Sequence, residues 1–314
     1  MSFTVTILGS SSATPTSKRN PTSLLVNMNY KYFLVDCGEG TQMQLRKYKF
    51  KLQKIKHIFI SHLHGDHFFG LIGLISTLHL LGRDEDLHIY ANENLKEVID
   101  LQLKVSGTEL VFPLIFHPTN QNEPEIIFED EQHFVKSFPL NHRLPTTGFL
   151  FSEKKRTRKI RKDFLNSVDV PVEEIPKIKA GSDFIDNDGK VYLNKSITSN
   201  PLNSRSFAFC SDTSYFEPVI ETIHHANLLY HEATFMQELA EVARDKFHST
   251  AAEAATIAKK AMVNELIIGH FSARYNSLDE LLSEARAIFP ATSLAEDGNE
   301  FKIISEKSII QDNR

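Results

Sequence analysis

Between residues 61 and 67 the chain reads Ser61-His62-Leu63-His64-Gly65-Asp66-His67, which sets three imidazoles and a carboxylate within six residues. The stretch follows Lys56-His57-Ile58-Phe59-Ile60, an alternating apolar run that predicts a strand. His62 and His64 are two positions apart, so on extended backbone they project to the same side and can grip one ion. Gly65 permits a sharp turn. Asp66 and His67 then open the apolar segment 68–81, for which the spacing predicts one helix of about four turns. That order puts Asp66 and His67 where a second ion can sit beside the first. Mixed imidazole and carboxylate donors suit zinc best, and manganese or iron less well. The plain alternative is a polar strand end with chance histidines; four candidate ligands in six residues weigh against it.

Further candidate donors lie far along the chain. His142 falls just beyond a predicted strand, Asp212 follows the strand 206–210, and His270 ends the strand 265–269. Asp36, where a strand turns into a helix, can cap or support a metal site. All of these residues stand at a strand end or in the loop after it, as expected where loops crown a rigid sheet. Together, His62, His64 and His142 can bind one ion and Asp66, His67 and His270 a second, with Asp212 bridging. Two-metal hydrolases hold their ions about 3.5–4 Å apart in this way. Taken singly, a histidine at a strand end is more often a satisfied polar residue than a ligand.

The elements that must position these groups alternate between strand and helix. Residues 3–8, 22–28 and 31–36 predict three strands, the last two joined by a tight Asn29-Tyr30 turn, and so begin an antiparallel meander. A helix follows the glycine-rich turn after Asp36 and runs to about Tyr48. Strands are expected at 87–91, 110–117, 125–130 and 133–138 around a helix at 93–104, and at 206–210, 227–231 and 265–269. Helices at 248–261, entered beside a capping Ser249, and at 277–288 precede a final strand pair within 292–304. The loop 10–21, with two prolines and two cations, reads equally as a plain connection or as part of a substrate site.

The chain has 314 residues, 41% hydrophobic and 24% charged, enough for one large domain or two small ones with a generous core. A net charge of −5 excludes general attraction to polyanions, so a nucleic-acid partner must be held by a local basic region. The run 154–162 is such a region, with seven cations in nine positions. It opens the stretch 152–204, punctuated by proline up to Pro176 and by the turn Asp186-Asn187-Asp188-Gly189, which predicts an inserted arm with little core of its own. A solvated charge run is the usual reading of such a segment; on an acidic chain, polyanion binding is favoured. Cys37 and Cys210 lie in apolar runs and read as buried thiols in a reducing compartment. The N-terminal stretch lacks the pattern of a signal peptide, and the apolar segment 68–82 is interrupted by Ser76, Thr77 and His79. A soluble cytoplasmic protein without a membrane partner is expected.

The His-x-His-x-Asp-His order at 62–67, with the later His142, Asp212 and His270, resembles the metallo-β-lactamase superfamily. The pieces 15–20, 36–42, 61–70, Asn141-His142, Ser211-Asp212-Thr213, His231-Glu232-Ala233-Thr234, His248-Ser249-Thr250 and 269–275 together resemble the ribonuclease Z family within it. The histidine order marks only the superfamily; the later pieces narrow it. The resemblance implies an α/β fold, a four-layered αββα sandwich with a basic arm inserted at about 152–204. It implies two zinc ions per chain, with manganese or iron as substitutes, and a homodimer acting on precursor tRNA. The cut falls after the unpaired nucleotide that follows the acceptor stem and leaves a 3′ hydroxyl. His248, paired with Glu232, is then the general acid for the leaving 3′ oxygen, a proton that metal ions do not supply. Asp66 additionally orients the attacking water. Arg274 and Ser272, beside His270, are placed for the phosphate, and Lys154, Lys155, Arg156, Arg158, Lys159, Arg161 and Lys162 for gripping tRNA.

The chain departs from the family in two places. The Gly-Pro turn of the family's arm is not evident, residues 173–181 standing in its place, and Phe247 replaces the family's glycine before His-Ser-Thr, a change expected to alter packing only. Two other readings stay open. One is a hydrolase of a small phosphodiester, lactone or thioester, for which the arm would be idle. The other, a non-catalytic RNA-binding module, is disfavoured because no ligand position is substituted.

Overall fold

The computed structural model describes residues 2–305. β1 (Phe3–Gly9), β2 (Ser23–Met28), β3 (Lys31–Val35), β4 (Ile55–Phe59), β5 (Leu87–Ala91) and β6 (Leu114–Pro118) lie in that order in one sheet, with β18 (Glu300–Lys302) beside β1. The second sheet has the order β7 (Glu125–Glu129), β8 (His133–Leu140), β9 (Thr146–Glu153), β14 (Ser206–Cys210), β15 (Leu228–Glu232), β16 (Glu265–Gly269), β17 (Thr292–Leu294). Four two-residue strands between β9 and β14 belong to an insertion described below. The first three strands pair antiparallel and β3 to β6 parallel; β14 to β17 are parallel, with β9 antiparallel to β14.

Side-chain alternation with period two builds the layers. Leu24, Val26, Phe33, Val35 and Phe59 face the interior between the sheets, while Leu25, Leu34, Ile58 and Ile60 face helices outside. Helices 41–47, 71–80 and 94–105 cover that outer face through Leu45, Leu74, Leu78, Leu95 and Ile99. Helices 219–223, 251–260 and 279–288 cover the second sheet through Ile223, Ala254, Ile257 and Leu281. The result is the expected αββα sandwich. Between the sheets, Phe33 and Phe59 of the first meet Phe149 and Phe151 of the second at ring-centroid distances of 5.3–5.8 Å. Each such ring, once buried, contributes roughly 1.5–3 kcal/mol and carries no polar atom that needs a partner.

Several local expectations are corrected. The segment 68–81 is not one helix: Gly65–Phe68 and Leu71–Leu80 are separate. A Cβ on Gly70 would lie 2.1 Å from the Gly38 carbonyl oxygen, and the Gly70 N–H donates to the Cys37 carbonyl at 2.9 Å, so the chain breaks to let the 36–38 loop close against it. β9 was not among the expected strands, residues up to Gly148 having read as the loop that carries His142. Gly148 instead marks close packing: a Cβ there would meet the Phe138 ring at 2.4 Å. The expected strand 110–117 starts only at Leu114, after Pro113, which has no N–H for the ladder. Helix 251–260 is capped by Thr250, not Ser249: Thr250 Oγ1 accepts from the Glu253 N–H and the Glu253 carboxylate accepts from the Thr250 N–H. β17 and β18 do not pair with each other; they join different sheets.

Residues 153–205, with 304 and 305, form a second unit. β10 (Lys159–Ile160) pairs with β13 (Thr198–Ser199), and β11 (Phe184–Ile185) forms a hairpin with β12 (Val191–Tyr192). Phe164, Ile178, Phe184 and Ile197 are buried together, so the insertion has a core, contrary to expectation. The Asp186-Asn187-Asp188-Gly189 turn is real: the Asp186 carboxylate accepts the N–H groups of Asp188 and Lys190, and Gly189 takes φ +80°. Residues 174–180, within the segment that stands in place of a Gly-Pro turn, are a helix ended by Gly181 at φ +119°.

Candidate metal centre

The segments that follow β4, β8, β14 and β16, the first of them running into helix 65–68, bring the seven expected ligands to one place. His62 Nε2, His64 Nδ1 and His142 Nε2 converge, at 2.9 Å and 3.2 Å from one another through His64, with Asp212 Oδ2 3.7 Å from His62 and 3.9 Å from His142. Beside them, His67 Nε2 and His270 Nε2 lie 3.5 and 3.4 Å from Asp66 Oδ2 and 3.4 and 3.1 Å from Asp212 Oδ1. Asp212 thus turns one oxygen to each group. Donor atoms of like lone pairs crowd this way when a cation is to sit between them. Among the described residues His67 Nε2 and His270 Nε2 are buried and have no hydrogen-bond partner, a lack that a metal ion would supply.

In four of the five histidines the opposite ring nitrogen is pinned, which orients the donor. His67 Nδ1 lies 2.7 Å from Asp36 Oδ2, and the same carboxylate accepts from the Ser61 N–H and hydroxyl. Ser61 Oγ lies 3.0 Å from His62 Nδ1, Thr234 Oγ1 3.0 Å from His270 Nδ1, and the Phe247 carbonyl oxygen 2.8 Å from His142 Nδ1. Asp66 Oδ2 accepts from the Ala13 N–H at 2.7 Å, so the loop 10–21 is part of the site. Asp36 thus has the supporting place expected of it. The supporting roles of Ser61, Thr234 and Phe247 were not anticipated, although Ser61 and Thr234 stand inside the motif pieces 61–70 and 231–234. Burial lowers His67, but Asp212, Asp66 and Asp36 outweigh it and hold its pKa well above the ordinary value. Metal binding at Nε2 would release that proton.

Glu232, at the end of β15, is fully buried and surrounded by donors. Oε1 accepts from the Thr213 N–H (2.7 Å) and lies 2.8 Å from His248 Nδ1; Oε2 accepts from the Thr234 hydroxyl (2.6 Å) and the Ser249 N–H (3.2 Å). Burial opposes a charged imidazole, yet Glu232 raises His248 to about 9. The pair therefore stands as a carboxylate holding an imidazolium, whose Nε2 remains as the second proton site. An open cleft of about 460 Å³ reaches His64, Asp66, Asp212, His248 and His270.

The candidate substrate residues are placed less uniformly. Arg274 is exposed; its Nε donates to Ser272 Oγ at 3.1 Å and its guanidinium lies 4.9 Å over the Phe235 ring. Within the insertion, Arg156 pairs with Glu153, Arg161 with Asp163, and Arg158 donates to Thr198 and Asn200. Lys155, Lys159 and Lys162 are exposed and make no ion pair or side-chain hydrogen bond among the described residues. Lys154 is half-buried.

A family model described as Anti-Pycsar protein Apyc1 matches residues 3–143, which take in 62–67 and His142. Ribonuclease Z of Bacteroides thetaiotaomicron is 47% identical over 295 residues, 94% of this chain and 93% of that one. Among solved structures, human tRNase Z, short form, is 30% identical with a TM-score of 0.71, over 96% of this chain and 99% of that chain. A metallo-β-lactamase fold protein from Bacillus subtilis shares the fold at 19% identity, with a TM-score of 0.68 over 96% of this chain and 100% of the other.

Proposed function

The chain belongs to the ribonuclease Z family, and from that footing we propose the following reading of its site. It is a metal-binding endoribonuclease of the metallo-β-lactamase fold that hydrolyses precursor tRNA to remove the 3′ trailer. The observation that carries the reading is the pair of donor groups, His62, His64 and His142 on one side of Asp212 and Asp66, His67 and His270 on the other.

Two zinc ions held there would polarise the phosphate and acidify the attacking water. Asp66, fixed by the Ala13 N–H, orients that water. His248 gives its Nε2 proton to the departing 3′ oxygen, which becomes the tRNA 3′ hydroxyl, while Glu232 holds Nδ1 and keeps the ring charged until transfer. Among the cations of the run 154–162, Lys155, Lys159 and Lys162 meet the phosphates, and Arg274 with Ser272 flanks the cut. The arm is read as an insertion in one catalytic domain. A homodimer is supported by exposed apolar residues on outer helices: Leu80 at the end of 71–80, and Leu101 and Val105 one turn apart on 94–105. The cytoplasm is the compartment this reading calls for; among the described residues no helix is long and apolar enough to cross a membrane.

Purified protein incubated with a tRNA bearing a 3′ trailer should cut it once, just past the nucleotide that follows the acceptor stem, and a chelator should stop the reaction. Cleavage elsewhere, or cleavage indifferent to chelator, overturns the reading. Elemental analysis should find two zinc ions per chain; fewer than about one per chain would count against the metal assignment. Light scattering at twice the chain mass tests the dimer.

A further inference from the structure

Phe69 is 64% exposed although it stands two residues from His67 and lines the same cleft as His64, Asp66, Asp212 and His248. Leaving a phenyl ring in water forgoes roughly 1.5–3 kcal/mol of burial. The ring is nevertheless braced. It sits in the break between helices 65–68 and 71–80, where the Phe69 N–H donates to the Gly65 carbonyl at 2.9 Å and Gly70 is tied to Cys37. A Cβ on Gly65 would come within 2.1 Å of Phe69 Cε2, so the missing side chain of Gly65 is what seats the ring. The Phe68 ring meets it edge-on at 5.0 Å between centroids. Ala13, Pro15 and Pro21 add further apolar lining to the cleft.

A held aromatic ring, open to a cleft whose other groups are suited to a phosphate, has the form of a base-stacking platform. On the ribonuclease Z reading, on which this inference rests, the nucleotide beside the cut is unpaired and has no duplex partner to steady it. We propose that Phe69 stacks the nucleobase adjacent to the scissile phosphate and thereby sets a requirement for a base at that position. Stacking ignores base identity, since every base offers a π-face. That tolerance suits an enzyme whose trailers differ in sequence.

The test compares the metal-loaded wild type with Phe69→Ala, Phe69→Leu and Phe69→Trp on three precursor tRNAs: one intact, one abasic on the 5′ side of the cut, one abasic on the 3′ side. Phe69→Ala and Phe69→Leu should lose about 10–100-fold in kcat/KM on the intact substrate, mainly through KM, and Phe69→Trp should stay within about threefold. On one of the abasic substrates the wild type and Phe69→Trp should both fall to the level of Phe69→Ala, and Phe69→Ala and Phe69→Leu should lose nothing more. An equal loss on all three substrates would make Phe69 a structural prop, and no loss on any would make the ring idle; either overturns the proposal. Metal content and circular dichroism of Phe69→Leu, which keeps most of the volume, distinguish a folding defect. Failure of the wild type to cut even the intact precursor would instead remove the functional reading beneath.

Discussion

His248 can be told from a ligand by what its loss spares. Its Nδ1 is taken by Glu232 at 2.8 Å and lies 4.0 Å from Asp212, so His248→Ala should leave metal content unchanged while slowing precursor cleavage about 10²–10⁴-fold. Loss of zinc on elemental analysis would make it a ligand instead. Phe247, one residue earlier, looked like a packing change from sequence. It lies at the end of helix 240–245 with φ +58°, where glycine is the unstrained choice, and its carbonyl fixes His142. The strain costs an L-residue roughly 1–2 kcal/mol. Phe247→Gly should therefore raise stability by about 1 kcal/mol in chemical denaturation with metal content unchanged; a fall in stability would show that the ring contributes packing that outweighs the strain. The donors that cluster were legible because motif order survives in sequence. Of the groups behind them Asp36 was anticipated and the rest were not; a backbone carbonyl such as that of Phe247 has no signature in residue type.

At the scale of elements, β4, β5 and β6 carry a histidine ladder that sequence periodicity passes over. His57 and His88 are register partners with ring centroids 5.0 Å apart, and His88 Nδ1 lies 3.0 Å from His117 Nε2. Burial, with His88, His117, Lys31 and Lys56 nearby, pushes His57 down to about 3. Above pH ~6.5 the imidazole is neutral both folded and unfolded, and its contribution to stability is fully present. As pH falls toward 3, the unfolded chain takes up a proton that the folded one refuses, so stability drops on the order of a few kcal/mol. His57→Phe, which keeps the contacts to Phe33 and Phe128, should move the acid-unfolding midpoint of the chelated protein to lower pH. An unmoved midpoint would assign acid lability elsewhere. Strands such as β4 were readable from alternation alone. β9 was not, because Gly148 is there for the Phe138 ring, and the break at Gly70 was not, because its cause is the distant Gly38 carbonyl.

For the whole molecule, the informative fact is a register. Ser152 of β9 is the cross-strand partner of Ser206 of β14, so residues 153–205 occupy the place of a hairpin turn. Composition marked this stretch as foreign to the rest; it could not disclose that its two ends are antiparallel partners, nor that four scattered apolar residues meet in a core of their own. The Glu153 N–H donates to the Arg205 carbonyl at 2.9 Å, which continues the ladder by one pair. Replacing 154–204 by Asn-Gly, the dipeptide that closes a two-residue turn, should therefore leave metal content and hydrolysis of a small phosphodiester within a fewfold of wild type. Cleavage of precursor tRNA should fall at least 100-fold if the arm supplies most of the phosphate contacts. Excising only part of the unit would strand Ile197 and β13 without partners and confuse the result. Charge can be separated from shape in the same experiment, since Lys155, Lys159 and Lys162 are engaged in no ion pair among the described residues. Changing all three to Ala should keep the arm folded and flatten the slope of log affinity against log salt by about 2–3, in proportion to the phosphates released. An unchanged slope would mean that the arm holds tRNA through contacts other than these lysines, and equal loss of both activities on excision would make the arm structural.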